Sequence, residues 1–184
     1  LAQTPLDNQC KNVVHIYSSF IWRDHPTREF GGIENDPALE PFLMDADHDG
    51  RSFNTIMREA TVWSSVYGHC WLLLDKPSIE AATRAEELAA DIRPYLTLIT
   101  PENVFDWRYE RTPSGAYKLV YLKVREMFEY PLRSNTDIIK RRFRIWTPDS
   151  IELWEAETEK DPLLIERMDN PLGVIPAVCV YAQR

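Results

Sequence analysis

Three aspartates, Asp45, Asp47 and Asp49, alternate along "LMDADHDGRSFNTIMREA" (Leu43 to Ala60) and are followed by Gly50, in the spacing DxDxDG. Alternate carboxylates at this spacing can wrap one hard cation, and a glycine at the sixth position permits the sharp turn that brings them together. An EF-hand calcium loop begins in this way. A complete loop also needs a bidentate acid at its twelfth position, where this chain has Ile56, with Ser52 at the usual apolar eighth position and Phe53 at the ninth. The competing reading is a turn that feeds a helix. From Phe53 the apolar residues fall at Phe53, Ile56, Met57, Ala60, Trp63 and Tyr67, in helical steps of three and four. Asp49 or Ser52 can cap the first turn, and Gly68 can end the last.

Other constellations are thinner. A phosphate cradle needs clustered glycines, yet only Gly31 and Gly32 adjoin, and no Lys-Ser or Lys-Thr pair follows them. That argues against an ATPase motor. His69 and Cys70 are neighbours, but on a strand they point to opposite faces, so a nucleophilic pair would need His15 or His48 from elsewhere. Cys70 reads more naturally as core. "KRRFR" is the one basic cluster. On a strand it sets Lys140, Arg142 and Arg144 on one face, with Arg141, Phe143 and Ile145 on the other. Such a stripe suits a solvated face, acidic residues of a neighbouring strand or subunit, or a phosphate.

The elements that must position these groups follow from composition and period. The 184 residues are 44% hydrophobic and 27% charged, enough for one domain with a core or two small subdomains sharing one. With 29 acidic against 21 basic residues the formal charge is −8, the wrong sign for a surface that grips phosphates over a large area. Cys10, Cys70 and Cys179 are widely spaced with no CxxC pair, which argues against a disulfide framework or zinc site and for a reducing compartment. The opening segment has no apolar core of signal-peptide length, and nothing approaches a membrane span. The missing initiator Met suggests a piece of a longer protein.

An α+β fold is expected: helices packed on a mainly antiparallel sheet. Residues 1–93 read as mainly helical with one buried strand. The helices are one between Leu6 and Arg23 with the stripe Cys10, Val13, Val14, Tyr17, Phe20 and Ile21, a short one in "DPALEPFLMDAD", a capped one from Ser52 to Tyr67, and one in "SIEAATRAEELAADI" capped by Ser78. "HCWLLL" is the strand. Residues 94–184 read as antiparallel strands: "YLTLI", "VFDWRY" with Phe105, Trp107 and Tyr109 on one face, and "AYKLVYLKVREMF" with Val120, Leu122 and Val124 sharing a face. "RRFRIWTPDSIELWEA" is a strand, Pro-Asp turn and strand, and "LLIERM" and "VIPAVCVYA" flank "DNPLG". Six Trp and eight Tyr suit sheet-face packing, and also subunit interfaces.

Taken in order, these segments resemble a known family. "DADHDGRSFNTIMREATVWSSVYGHCWLLLDKP", "RPYLTLITPENVFDWRYE", "LVYLKVREMF", "RRFRIWTPDSIELWEA" and "NPLGVIPAVCVYA" are similar, in sequence and order, to portal proteins of tailed bacteriophages, the head-tail connectors, and most of all to a portal-like group of phage and prophage proteins. The likeness runs from Leu6 onward. It implies a structural rather than an enzymatic role: subunits form a ring, commonly a dodecamer, at one capsid vertex, through which DNA is packaged and ejected. A portal binds no cofactor and has no catalytic residues of its own; the packaging ATPase is a separate terminase. On this likeness the chain is the wing of the subunit, one wing-like domain meeting neighbouring subunits and the capsid or scaffolding protein. Stem, clip and crown regions, which meet the terminase and tail adaptor, lie beyond it. The resemblance implies a virion location with assembly in the bacterial cytoplasm, DNA passing without sequence-specific binding, and no membrane. The alternatives are a metal-dependent (Ca or Mg) hydrolase or calcium-binding module using the Asp45, Asp47 and Asp49 loop, and an unrelated α+β binding module.

Overall fold

The structure, a computed structural model, describes residues 9–24, 26–77, 83–126, 140–157 and 161–182. It is an α+β fold. The described residues form helices α1 (Gln9–Ile21), α2 (Leu39–Met44), α3 (Phe53–Tyr67) and α4 (Arg84–Ala89). The strands are β1 (His69–Asp75), β2 (Tyr95–Ile99), β3 (Val104–Arg111), β4 (Tyr117–Glu126), β5 (Lys140–Trp146), β6 (Ser150–Glu157), β7 (Leu163–Asp169) and β8 (Ala177–Tyr181). No helix among the described residues is long and apolar enough to cross a membrane.

Packing divides the chain into two compact units, one from Leu1–Leu98 with Ala177–Arg184 and one from Ile99–Pro176. The division expected between residues 93 and 94 therefore falls a few residues later, and the last strand changes sides. The reason is long-range pairing. β8 leaves the second half and runs antiparallel to β1, with His69 opposite Tyr181 and Leu73 opposite Ala177.

In the first unit the sheet order is β2-β1-β8. α3 explains itself from its ends inward: Ser52 is extended and its Oγ accepts from the Thr55 amide at 3.3 Å, and Gly68 closes the helix at φ 84°, a left-handed value that glycine adopts without strain. Its buried side is Ile56, Ala60 and Ser64. Ile56 packs with Ala46 and Leu96, and Phe42, Phe53, Leu72 and Leu98 lie against that cluster. The Cys70 thiol donates to the Ala60 carbonyl at 3.4 Å, which ties helix to strand. For α4, Thr83 Oγ1 accepts from the Glu86 amide at 3.2 Å, and the expected cap Ser78 lies outside the described residues.

α1 corrects the sequence reading. The apolar stripe read from its sequence is largely exposed, with Val13, Tyr17, Phe20 and Ile21 each more than half open to solvent. The inward side runs through Val14, Ser18 and Trp22 instead. Trp22 Nε1 donates to Thr61 Oγ1 at 3.0 Å, and the small Ser18 allows α1 to lie close to α3.

The second unit is an antiparallel meander in the order β3-β4-β5-β6-β7. Its buried face carries the row Leu122, Trp146 and Ile151, opposite one another on β4, β5 and β6, with Val124 and Leu153 in the next row. Burying each of the four aliphatic side chains among these stabilises by about 2 kcal/mol. Two bulges alter the expected faces. The register slips between Val104 and Asp106 and again between Arg108 and Tyr109, so Leu119 is buried where Val120 was expected. An unpaired residue shifts every later side chain to the other face.

Candidate functional site

The acidic loop is the site that the sequence singles out, and its carboxylates are already engaged. Asp45 Oδ1 accepts from the Gly50 amide at 2.9 Å, and Oδ2 accepts from Arg93 Nη2 at 2.9 Å. Arg93 Nη1 also donates to the Asp45 backbone carbonyl, and its Nε donates to Asp91 Oδ1 at 2.8 Å. Asp47 Oδ1 accepts from the amides of Asp49 and Arg51, both at 3.0 Å, while Arg51 Nε donates to Oδ2. Arg51 then reaches Glu59 on α3 at 2.8 Å. The loop is pinned to β2 where the Leu96 amide donates to the Ala46 carbonyl at 2.6 Å.

Two guanidinium groups thus stand where a cation would draw the carboxylates together. Each donor spends a lone pair that a metal would need. Among the described residues no group of three or more His, Cys, Asp or Glu side chains is arranged to hold a metal ion. Burial works against charge on Asp47, but the Arg51 side chain and the two amides outweigh it and hold its carboxyl below the ordinary carboxylate range. The Asp47 side chain holds Arg51 above its ordinary value, against a smaller opposing effect of burial.

His48 sits in the same turn at φ 64°, within 3.3 Å of the Arg93 carbonyl through Nε2 and 3.7 Å from Asp91 through Nδ1. It is a local brace, remote in role from Cys70. Cys70 is fully buried, and burial first, with Cys179 nearby second, pushes its thiol up to about 11. A thiol so protonated is no nucleophile at neutral pH. His15 is exposed on α1.

The basic cluster has partners within its own sheet. Arg144 binds Glu126 through two bonds of 2.8 and 3.1 Å, and Arg142 Nε donates to Glu155 at 3.0 Å. These are cross-strand pairs, since Arg142 stands opposite both Glu126 and Glu155. Arg144 therefore reaches diagonally, and this part of the stripe meets acids of neighbouring strands. The Lys140 side chain lies outside the described residues.

Two residues that sequence reasoning passed over organise these places. Arg93, one of the few buried charged residues, clamps the acidic loop. Asn170, in "DNPLG", is buried; its Nδ2 donates to the carbonyls of Thr147 at 2.8 Å and Val174 at 2.9 Å, and its Oδ1 accepts from the Leu172 amide at 3.1 Å. The one sequence signal for Asn170 was its place at a turn before proline.

Beyond these, several of the described elements expose apolar side chains. The exposed side of α1 offers Val13, Ile16, Tyr17 and Phe20, and β7 offers Leu163, Leu164 and Ile165. On β3, Phe105 is 52% exposed and Trp107 and Tyr109 are each 41% exposed. No protein-family model matches this chain, and no curated protein matches it.

Proposed function

We propose that this chain is the wing of a ring-forming portal subunit of a tailed bacteriophage: a structural part, without catalysis, that meets neighbouring subunits and the capsid or scaffolding protein at the vertex where DNA is packaged and ejected. One observation carries the reading. Two of the segments that resemble the family, α3 with Gly68 leading into β1 and the "NPLGVIP" turn leading into β8, lie about a hundred residues apart and yet end in neighbouring strands of one sheet. A recurring order of motifs is meaningful when its ends must meet.

Three further features agree with an assembly role. The acidic loop is occupied by arginines, Cys70 is buried and protonated, and exposed aromatic and aliphatic side chains gather on α1, β3 and β7. Large exposed apolar areas mark sites of protein association. In this role the DADHDG turn is a brace that fixes the start of α3. The test is the mass of the full-length protein in solution under assembly conditions, where a large closed oligomer supports the proposal and a stable monomer or dimer opposes it.

A further inference from the structure

We infer that Asp49–Gly50 is a site of spontaneous backbone isomerisation to isoaspartate, held in check in the folded protein by the Arg93–Asp45 pair. This holds whether or not the subunits form a ring.

The chemistry begins in the sequence, where Asp49–Gly50 is the one place in 184 residues at which Asp or Asn precedes glycine. At such a bond the glycine nitrogen can attack the aspartyl carboxyl carbon. The nitrogen loses its proton, the carboxyl loses one oxygen as water, and a cyclic succinimide forms. Water then opens the ring at either carbonyl. One opening returns aspartate; the other leaves isoaspartate, whose main chain runs through the former side chain and is one carbon longer. No oxidant or other reactant is needed. Glycine favours the step because it has no Cβ to crowd its nitrogen.

Packing gives this bond little cover. Asp49 is exposed, and among the described residues nothing donates a hydrogen bond to its carboxylate, so it can turn toward the next peptide. A Cβ added at Gly50 would meet nothing within 4 Å. What restrains the nitrogen is one hydrogen bond. The Gly50 amide donates to Asp45 Oδ1 at 2.9 Å, which keeps the proton on the atom that must lose it. The other oxygen of the same carboxylate accepts from Arg93 Nη2 at 2.9 Å, and Arg93 is buried. On either side, the amides of Asp49 and Arg51 both donate to Asp47 Oδ1 at 3.0 Å, so the peptides of the turn are held together. Reaction therefore requires a local opening in which Gly50 leaves Asp45, and Arg93 sets how often that happens. The consequence for the fold is direct. An extra main-chain carbon here displaces Arg51, whose carbonyl accepts from the Ala46 amide at 2.7 Å, and with it the Ser52 cap of α3.

The experiment incubates the full-length wild type, Asp45→Ala, Arg93→Ala and Asn170→Ala in mildly acidic buffer at body temperature, with wild type in urea alongside. Isoaspartate is measured by enzymatic methyl transfer and located by peptide mass spectrometry, and circular dichroism checks that each variant folds. The urea-unfolded chain should form isoaspartate at Asp49 about tenfold or more faster than the folded wild type. Asp45→Ala and Arg93→Ala should each raise the folded rate by about tenfold, since each removes a hydrogen bond to a charged group that opposes opening. Asn170→Ala weakens a turn of the other unit and keeps the Asp45 contact, so it should stay at the wild-type rate. That control separates loss of the restraint from general loss of stability. A folded wild type that reacts as fast as the unfolded chain overturns the restraint. So does Asp45→Ala or Arg93→Ala reacting no faster than wild type, or Asn170→Ala reacting as fast as Asp45→Ala. No isoaspartate at Asp49 even in urea overturns the site itself.

Discussion

Arg93 Nη2 lies 2.9 Å from Asp45 Oδ2, bridging residues 48 positions apart in the chain, and the same guanidinium also holds the Asp45 backbone carbonyl and Asp91. The Arg93 side chain is 6% exposed against 33% for Asp45 and 62% for Asp91. It therefore stabilises by donating to three acceptors at once, two carboxylates and a backbone carbonyl. Arg93→Ala should cost about 2 kcal/mol, less than a fully buried pair because both acids keep some solvent. Urea unfolding at neutral pH measures this; a loss within the scatter of ordinary surface substitutions would mean that the clamp contributes nothing.

The same pairing bears on the metal alternative. With the Asp45 and Asp47 oxygens accepting from Arg93, Arg51 and three amides, millimolar Ca²⁺ or Mg²⁺ should leave the melting temperature unchanged. A saturable rise on adding Ca²⁺, abolished by Asp47→Asn, would restore the calcium reading.

Cys70 predicts how stability changes in alkali. Its thiol is raised to about 11 in the folded protein, against about 8.5 in an unfolded chain. The stability it contributes is complete below the unfolded value and is lost as pH rises toward the folded one, because only the unfolded state readily gives up the proton. Denaturant midpoints should therefore fall between about pH 8.5 and pH 11, and Cys70→Ala should flatten that fall while lowering stability at neutral pH. Thiol titration of the native protein should label Cys10 first and leave Cys70 unlabelled until unfolding.

Asn170 concentrates three side-chain hydrogen bonds in one buried turn. Asn170→Ala strands two carbonyls and an amide, and should cost about 2 to 3 kcal/mol. Asn170→Asp should not rescue it, since a carboxylate cannot donate to the Thr147 and Val174 carbonyls. Equal stability of Asn170→Asp and the wild type would contradict this account of the turn.

Local signals carried much of the fold. The cap at Ser52, the stop at Gly68 and the period of α3 are encoded within one short stretch, and the structure keeps all three. So does the strand-turn-strand at "TPDS", where Thr147 and Ser150 close the turn. What failed was long-range or depended on one extra residue. α1 has apolar groups on several sides, so its stripe could not say which side meets α3. The bulges near Phe105 and Val120 leave no mark in composition, yet they move Leu119 into the core. β8 follows its turn like any meander strand, and only its pairing with β1 returns it to the first unit. For the acidic loop, the carboxylates were visible in sequence and their arginine partner was not, because Arg93 lies far along the chain.

Imaging of the full-length protein by negative stain, with its mass determined on the same sample, tests the central claim most directly. The account predicts closed rings with a central channel and a mass that is a whole multiple of the subunit. A monodisperse monomer or dimer under assembly conditions would contradict it.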